Sequence, residues 1–408
     1  MRSMHVLFVH QNFPAQFGQV ATWWSRVRGG RSTFASSKSP DPVLGLEHVQ
    51  YKVSGGARES TNFCSRTFEN QTWNSMGLYE ALRARPDIQP DLIVAHSGFV
   101  SSLFLRELYP DTPHIGYFEF FYHSHGSDMD FRNDLLAPEP INLLRGRNRN
   151  AQILLDLHNC DAGYSPTGFQ RSQLPREYQP KIRTIFDGID TEFWKRTPDP
   201  LRTFGGVTIP KGSRVVTYVS RGFESMRGFD IFLQTADRIC KARPDTLVIV
   251  VGEDRVCYGG DESFTGGKTF KQWAIEKHRP DLSRIHFVGR LPPAELVQLF
   301  SLSDVHIYLT APFVLSWSLF NALSCECTVL GSDTAPVREV IREGETGLLC
   351  DFFDIEGLTS KALQVLESPQ KYQHLGRNGR ALIESRYRAD LCLGQIEELF
   401  RDVVEKRV

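Results

Sequence analysis

Two turns in this sequence carry residues suited to binding a ligand, and the first of them suits phosphate. The first, SRGFESMRG (220–228), follows the apolar run RVVTYVS and contains Arg221, Arg227 and two glycines. Glycine lets backbone approach a ligand, the helix start after such a turn attracts anions, and guanidinium groups grip phosphate through paired N–H donors. The second turn, Thr310 to Ser318, follows the run VHIYL and mixes aromatic and hydroxyl side chains. Other polar groups close apolar runs in the same way: His10, His96 and Glu119 in the first half, Glu253 in the second. Parallel α/β sheets bind ligands beyond the carboxyl ends of their strands. Two facing sheets would point all these groups into a common cleft. The chemistry implied is phosphate-anchored group transfer.

Other chemistries lack their signatures. No Gly-x-Gly-x-x-Gly follows a strand-like run, which speaks against a nicotinamide or flavin enzyme. Gly267-Lys268-Thr269 ends like a P-loop, but the leading glycine position is Glu262 and no strand precedes it. The histidines make no His-Glu-x-x-His zinc site, and Gly-x-Ser-x-Gly is absent. None of the eight cysteines forms a Cys-x-x-Cys pair, so reduced cytoplasmic thiols are expected. Neither a metal nor a resident redox cofactor is expected.

The elements that must position these residues alternate as in a parallel sheet. In the first half the strand-like runs are HVLFV (5–9), HVQYKV (48–53), DLIVAH (91–96), HIGYFEF (114–120), DAGYS (161–165) and KIRTIFD (181–187). Helical spacing lies between them at 68–84, 99–109 and 141–158, while 28–46, rich in Gly, Ser and Pro, reads as loop. A Pro- and Gly-rich section, 197–213, precedes a second series: 214–220, 246–252, 284–289, 305–309, 327–333 and 346–351. The expected fold class is α/β, two doubly wound Rossmann-like domains. Residues 1–190 form the first, 191–213 connect, 214–375 form the second, and helices in 376–408 pack back on the first.

Size and charge agree with this. A chain of 408 residues exceeds one comfortable core. A net charge of -1 gives no global pull towards nucleic acid. The clusters Arg26, Arg28, Arg31 and Arg145, Arg147, Arg149 read as solvated faces, with an anionic acceptor or peripheral membrane contact as the alternative. No run approaches the ~18 apolar residues of a membrane span.

Several segments resemble one family. VLFVHQNFPAQFG is similar to the first strand and loop of a bacterial subgroup of the retaining family 4 glycosyltransferases, which have the two-domain GT-B fold and use nucleotide-sugar donors. TIFDGIDTEFW resembles the signature "PNGVDTxxF", VSRGFESMRGFD the loop "GRxxxxKG", and SDTAPVREVI the turn and helix "SDxGGxxEVI". The resemblance implies sugar transfer to a glycan, lipid-linked or small-molecule acceptor with retention, and no metal. It implies that Arg221 and Arg227 hold the donor diphosphate, with amides around Val314, Leu315 and Ser316 adding donors, and that Glu253 lines the nucleotide side. Glu119 falls near where the family places a histidine beside the reacting sugar, so Glu119, or His123 on the next loop, is the candidate catalytic group. His10, Gln11, Asn12 and Gly18 would meet the acceptor or phosphate, or else stabilise their loop.

The chain departs from the family pattern at one pair. The Glu-x7-Glu carboxylates that contact donor sugar and ribose fall at Phe313 and Asn321. Phe313 cannot accept a hydrogen bond, and Asn321 carries no charge. A deoxyribose donor, a donor held by phosphates and backbone, or a non-catalytic copy would each fit. An epimerase-like GT-B enzyme is a further alternative.

Overall fold

The computed structural model describes residues 3–39 and 46–406. The chain divides into two compact units. The first comprises the residues up to Asp130, Pro138–Asp187, and those from Asp390 on; the second comprises Phe131–Ala137 and Gly188–Ala389.

The first unit is built on seven parallel strands: β1 (His5–Val9), β2 (Arg31–Ser36), β3 (Glu47–Gln50), β4 (Leu92–His96), β5 (His114–Tyr117), β6 (Ala162–Ser165) and β7 (Ile182–Thr184), ordered β3-β2-β1-β4-β5-β6-β7. β2 corrects the reading of 28–46 as loop. Its RSTFAS sequence gives little apolar signal, yet all but Arg31 are buried beside β1, with the Ser32 hydroxyl donating to the Ala21 carbonyl at 2.9 Å and the Thr33 hydroxyl to Glu47. The helix expected at 99–109 is only the 3₁₀ turn Leu103–Glu107, and 141–158 is two helices, Pro140–Arg149 and Ala151–Asn159. One face of the sheet packs Leu7, Val9, Ile93 and Ala95 against Leu78 and Leu82 of the helix Arg66–Arg83. On the other, Phe8 meets Phe17 and Phe400, and Phe400 also meets Trp24. Phe400 belongs to the last helix, which Asp402 ties to Arg183 at 2.5 Å.

The second unit repeats the plan with six parallel strands, β10 (Arg214–Gly222), β11 (Thr246–Glu253), β12 (Ile285–Gly289), β13 (Val305–Tyr308), β14 (Val329–Ser332) and β15 (Leu348–Cys350), ordered β12-β11-β10-β13-β14-β15. The section 197–213 contributes a small antiparallel hairpin, β8 (Thr203–Phe204) with β9 (Val207–Thr208). Aspartates help set register in both sheets: Asp91, Asp161 and Asp304, each just before a strand, accept from the backbone amides of His5, His114 and Val215 on the neighbouring strand at 2.7–2.8 Å.

The division differs from the sequence reading: residues 188–213, expected as the end of the first domain and a connection, belong to the second unit. The excursion Phe131–Ala137 lies in the second unit, because Arg132 and Phe131 pack there. The helix Pro369–Leu382 also stays there: Gly376 lies against the Glu326 backbone and Gly379 against Leu323, approaches that a larger side chain would block. Only the last helix, from Asp390, joins the first unit.

Candidate active site

Both sheets reverse strand order once, between β1 and β4 in the first unit and between β10 and β13 in the second. At such a reversal the loops leave in opposite directions and open a ligand crevice at the strands' carboxyl ends. The chemistry-bearing residues stand at these two points.

In the second unit the crevice loops are 223–228 after β10, whose last two residues are Arg221 and Gly222, and 309–316 after β13. Arg227 joins them. It is 6% exposed, and its Nη1 donates to Thr310 Oγ1 at 2.7 Å and to the Val314 carbonyl at 3.0 Å. Its guanidinium lies 5.3 Å from the ring centroid of Tyr258, which in turn packs 5.4 Å from Phe313. Gly228 follows at φ +61° and starts the helix Phe229–Ala242, which has no side-chain cap. The Gly228 and Phe229 amides donate to the Ser225 and Glu224 carbonyls at 2.9 and 3.3 Å, so what the helix start offers an anion is its dipole beside a buried cation. Arg221 is exposed and interacts with Tyr258.

Two buried carboxylates brace this loop. Glu224 Oε2 accepts from the amides of Cys257 at 2.6 Å and Tyr258 at 2.8 Å, and burial pushes its carboxyl above the ordinary range. Asp261 accepts from the Ser225 amide and hydroxyl at 2.7 and 2.5 Å. The loop 257–261 is thereby fastened to the loop 224–228, setting Tyr258 over Arg227.

Of the expected phosphate-donating amides, that of Ser316 is already committed to the Tyr308 hydroxyl at 2.8 Å, while its side chain caps the helix Trp317–Ser324. Val314 instead contributes its carbonyl, which accepts from Arg227. Glu253 ends β11 and pairs with Arg255 at 2.7 Å on the surface. Asn321 Oδ1 is buried and has no hydrogen-bond partner within the protein.

In the first unit, His10 and His96 close the two strands at the reversal and meet edge to face, ring centroids 4.6 Å apart. His10 is 2% exposed, and its Nδ1 accepts from the Asn12 amide at 2.8 Å. Burial and then the neighbouring His96 hold it well below the ordinary histidine range, so it is neutral. His96 packs between Phe99 and Tyr117, and its Nε2 stands 3.7 Å from Glu119 Oε2. Gln16 Nε2 donates to Glu119 Oε1 at 3.1 Å. Glu119 lies two residues beyond β5, which stops at Tyr117, not within it. Its side chain is a quarter exposed, open to a ligand while held from behind.

The remaining expected residues have structural partners of their own. His123 Nε2 donates to the Gln173 carbonyl at 2.9 Å, a bond that holds its own loop. The Gln11 carbonyl accepts from the Ser37 amide and hydroxyl at 3.1 and 2.9 Å, a loop-fixing role. Gly18 is required by packing, since a Cβ there would run into Pro14.

Sequence reading named Thr310 but not Gln16, Tyr258, Glu224 or Asp261. Thr310 carried a signal as the residue opening a strand-end turn; the other four are set by loop closure. Two surface hollows in the second unit lie elsewhere, one beside Arg238 and Leu363, the other at the amino ends of β13 and β14 beside Arg196 and Arg377. The site therefore rests on strand order and side chains, not on hollow size. Among the described residues no three His, Cys, Asp or Glu groups converge as a metal site, and all eight cysteines are free. No helix among them is long and apolar enough to cross a membrane.

Two family models match, a glycosyl transferase family 4 group model over residues 28–194 and a glycosyl transferases group 1 model over 202–382. Among curated proteins, N-acetyl-alpha-D-glucosaminyl L-malate synthase of Bacillus anthracis is 23% identical over 55% of the chain and 54% of its own length. The chain spans about half the length of the curated relatives it matches. Sucrose-phosphate synthase from Thermosynechococcus elongatus has a TM-score of 0.74 at 15% identity, covering 99% of this chain and 100% of that one. Anabaena HepE in complex with UDP-glucose has a TM-score of 0.69 at 15% identity, covering 98% and 100%. At such identities the structural matches speak for the fold alone.

Proposed function

Since the chain belongs to the family 4 glycosyltransferases of the two-domain GT-B fold, we propose that it moves a glycosyl group from a nucleoside-diphosphate sugar to a hydroxyl-bearing acceptor with retention. The observation that carries this reading is Arg227, a buried cation fixed by Thr310 and Val314 beside an uncapped helix start at a strand-order reversal. In the transfer, the bond between the anomeric carbon and the β-phosphate oxygen breaks and a bond to the acceptor oxygen forms. The electron pair of the broken bond stays on the diphosphate, where Arg227, Arg221 and the helix start offset the developing charge. The acceptor proton passes to the departing phosphate or to Glu119, a carboxylate already oriented by Gln16. The donor is a co-substrate, and the scheme calls for neither a resident cofactor nor a metal. UDP-glucose, which Anabaena HepE holds, is the first donor to try. An acceptor that is a small hydroxy acid, as the name of the Bacillus relative states, belongs in the same panel as glycans and lipid-linked sugars. The reduced cysteines suit a cytoplasmic setting.

A second reading, donor binding without turnover, is favoured by Phe313 and the unpaired Asn321 Oδ1 at the two positions where the family has carboxylates. Incubation with UDP-, GDP- and dTDP-sugars, following free nucleotide, tests both. Release that requires an acceptor supports transfer. Interconversion of the sugar without acceptor means epimerisation, and binding without any turnover refutes the enzyme reading.

A further inference from the structure

The chain leaves the first unit after Asp130, contributes seven residues to the second, and returns at Pro138. Within those seven residues, every N–H of one guanidinium is engaged. Arg132 Nε and Nη2 donate to Asp134 at 2.9 Å each, Nη1 and Nη2 donate to Asp230 at 2.9 and 2.7 Å, and Nη1 also donates to the Ser225 carbonyl at 2.7 Å. Arg132 is 7% exposed and Asp230 2%, and Arg132 lies over the rings of Phe352 and Phe353, which also hold Phe131.

The partners locate its effect. Asp230 is the second residue of the helix Phe229–Ala242, and Ser225 opens the turn that carries Arg227. Asp261 already holds the Ser225 amide and hydroxyl. The Ser225 carbonyl also accepts from the Gly228 amide at 2.9 Å, the bond that closes the turn. With Arg132 added, all the polar groups of Ser225 are held. Asp230, in the first turn of the helix, shares this guanidinium with Asp134, so its charge at the helix start is partly offset where an anion would arrive.

We propose that Arg132 is a positioning residue for the anion loop. It fixes the Ser225–Gly228 turn, and with it Arg227, in the geometry that receives a diphosphate, and it screens Asp230 from that ligand. The inference rests on reading the loop as the donor-phosphate site. It makes donor recognition depend on a segment remote in sequence from the rest of the second unit.

The test uses the full chain and calorimetric titration with UDP, GDP and dTDP, alongside the nucleoside of whichever binds best. Arg132→Lys keeps the charge in the same hole but cannot reproduce the fork, and diphosphate affinity is expected to fall about tenfold while nucleoside affinity holds. Asp134→Asn, which disturbs only the more exposed side of the fork, should change diphosphate affinity by no more than about twofold. A thermal melt shows whether each variant is folded. Folded Arg132→Lys that binds diphosphate like the wild type overturns the inference, as does equal weakening of diphosphate and nucleoside, which would mean general loosening. A wild type that binds none of the three diphosphates overturns the donor-site reading itself, and this inference with it.

Discussion

Asp156 offers a quantitative test of how the loop behind His96 is held. Its carboxylate is buried on the helix Ala151–Asn159 and accepts from the hydroxyls of Ser97 (2.6 Å) and Ser101 and from Gln152. Ser97 and Ser101 lie on the loop after β4, next to His96. Burial pushes the Asp156 carboxyl up to about 6, with the serine and glutamine donors offsetting part of that rise, against an ordinary value of 3.8. The folded state thus binds this proton more tightly than the unfolded chain. The group's contribution to stability is full below pH about 4 and is lost as pH rises through about 6. The difference of roughly 2 units corresponds to about 3 kcal/mol at most. In Asp156→Asn the side chain keeps its shape but cannot titrate, and the serine hydroxyls can rotate to meet the amide. The melting temperature of the variant minus that of the wild type should therefore climb between pH 4 and pH 7.5 by roughly 5–10 °C, for a unit of this size. Burial also lowers His10 and His114, which makes the folded protein lose stability on acidification, but that loss is common to both proteins and cancels in the difference. Scanning fluorimetry across that range is sufficient. A difference that stays flat would show that Asp156 does not titrate between those limits and would refute the reasoning.

Three further outcomes are expected at the site. Arg227→Met should weaken nucleoside-diphosphate binding by about 10–100-fold, with Arg227→Lys in between, because a charge-assisted pair contributes about 1.5–3 kcal/mol; equal affinities by calorimetry would remove Arg227 from the phosphate site. Asn321→Glu should raise the affinity for ribonucleotides over their 2′-deoxy counterparts if this position meets the ribose, and an unchanged ratio would exclude that contact. Glu119→Gln keeps the acceptance from Gln16 but cannot take a proton, so kcat should fall by about 10²-fold or more with donor KM held if Glu119 acts as base; an unchanged kcat would leave the proton to the departing phosphate.

Much of the fold was legible because fully buried parallel strands leave continuous apolar runs, and those of β1, β4, β10 and β11 stand out. β2 did not, since RSTFAS satisfies its serines and threonine through hydrogen bonds that only neighbours in space supply. The excursion carrying Arg132 was also invisible, because Asp230 lies 98 residues away. At the site, the run-ending positions of His10, His96, Glu119, Arg221, Arg227 and Thr310 were readable. His123 and Glu119 read alike in the sequence; their different partners, the Gln173 carbonyl for His123 and Gln16 for Glu119, come only with the fold.

The sequence by itself determined the two series of strands and the arginine- and glycine-bearing turn, since periodicity and residue type are local properties. Only the tertiary structure decided which loops converge. Strand order brings the β10 and β13 loops together, and buried carboxylates at Glu224, Asp230 and Asp261 then fix the turn around Arg227. A buried charge needs partners with matching geometry, and those partners come from wherever the chain returns, not from its nearest neighbours.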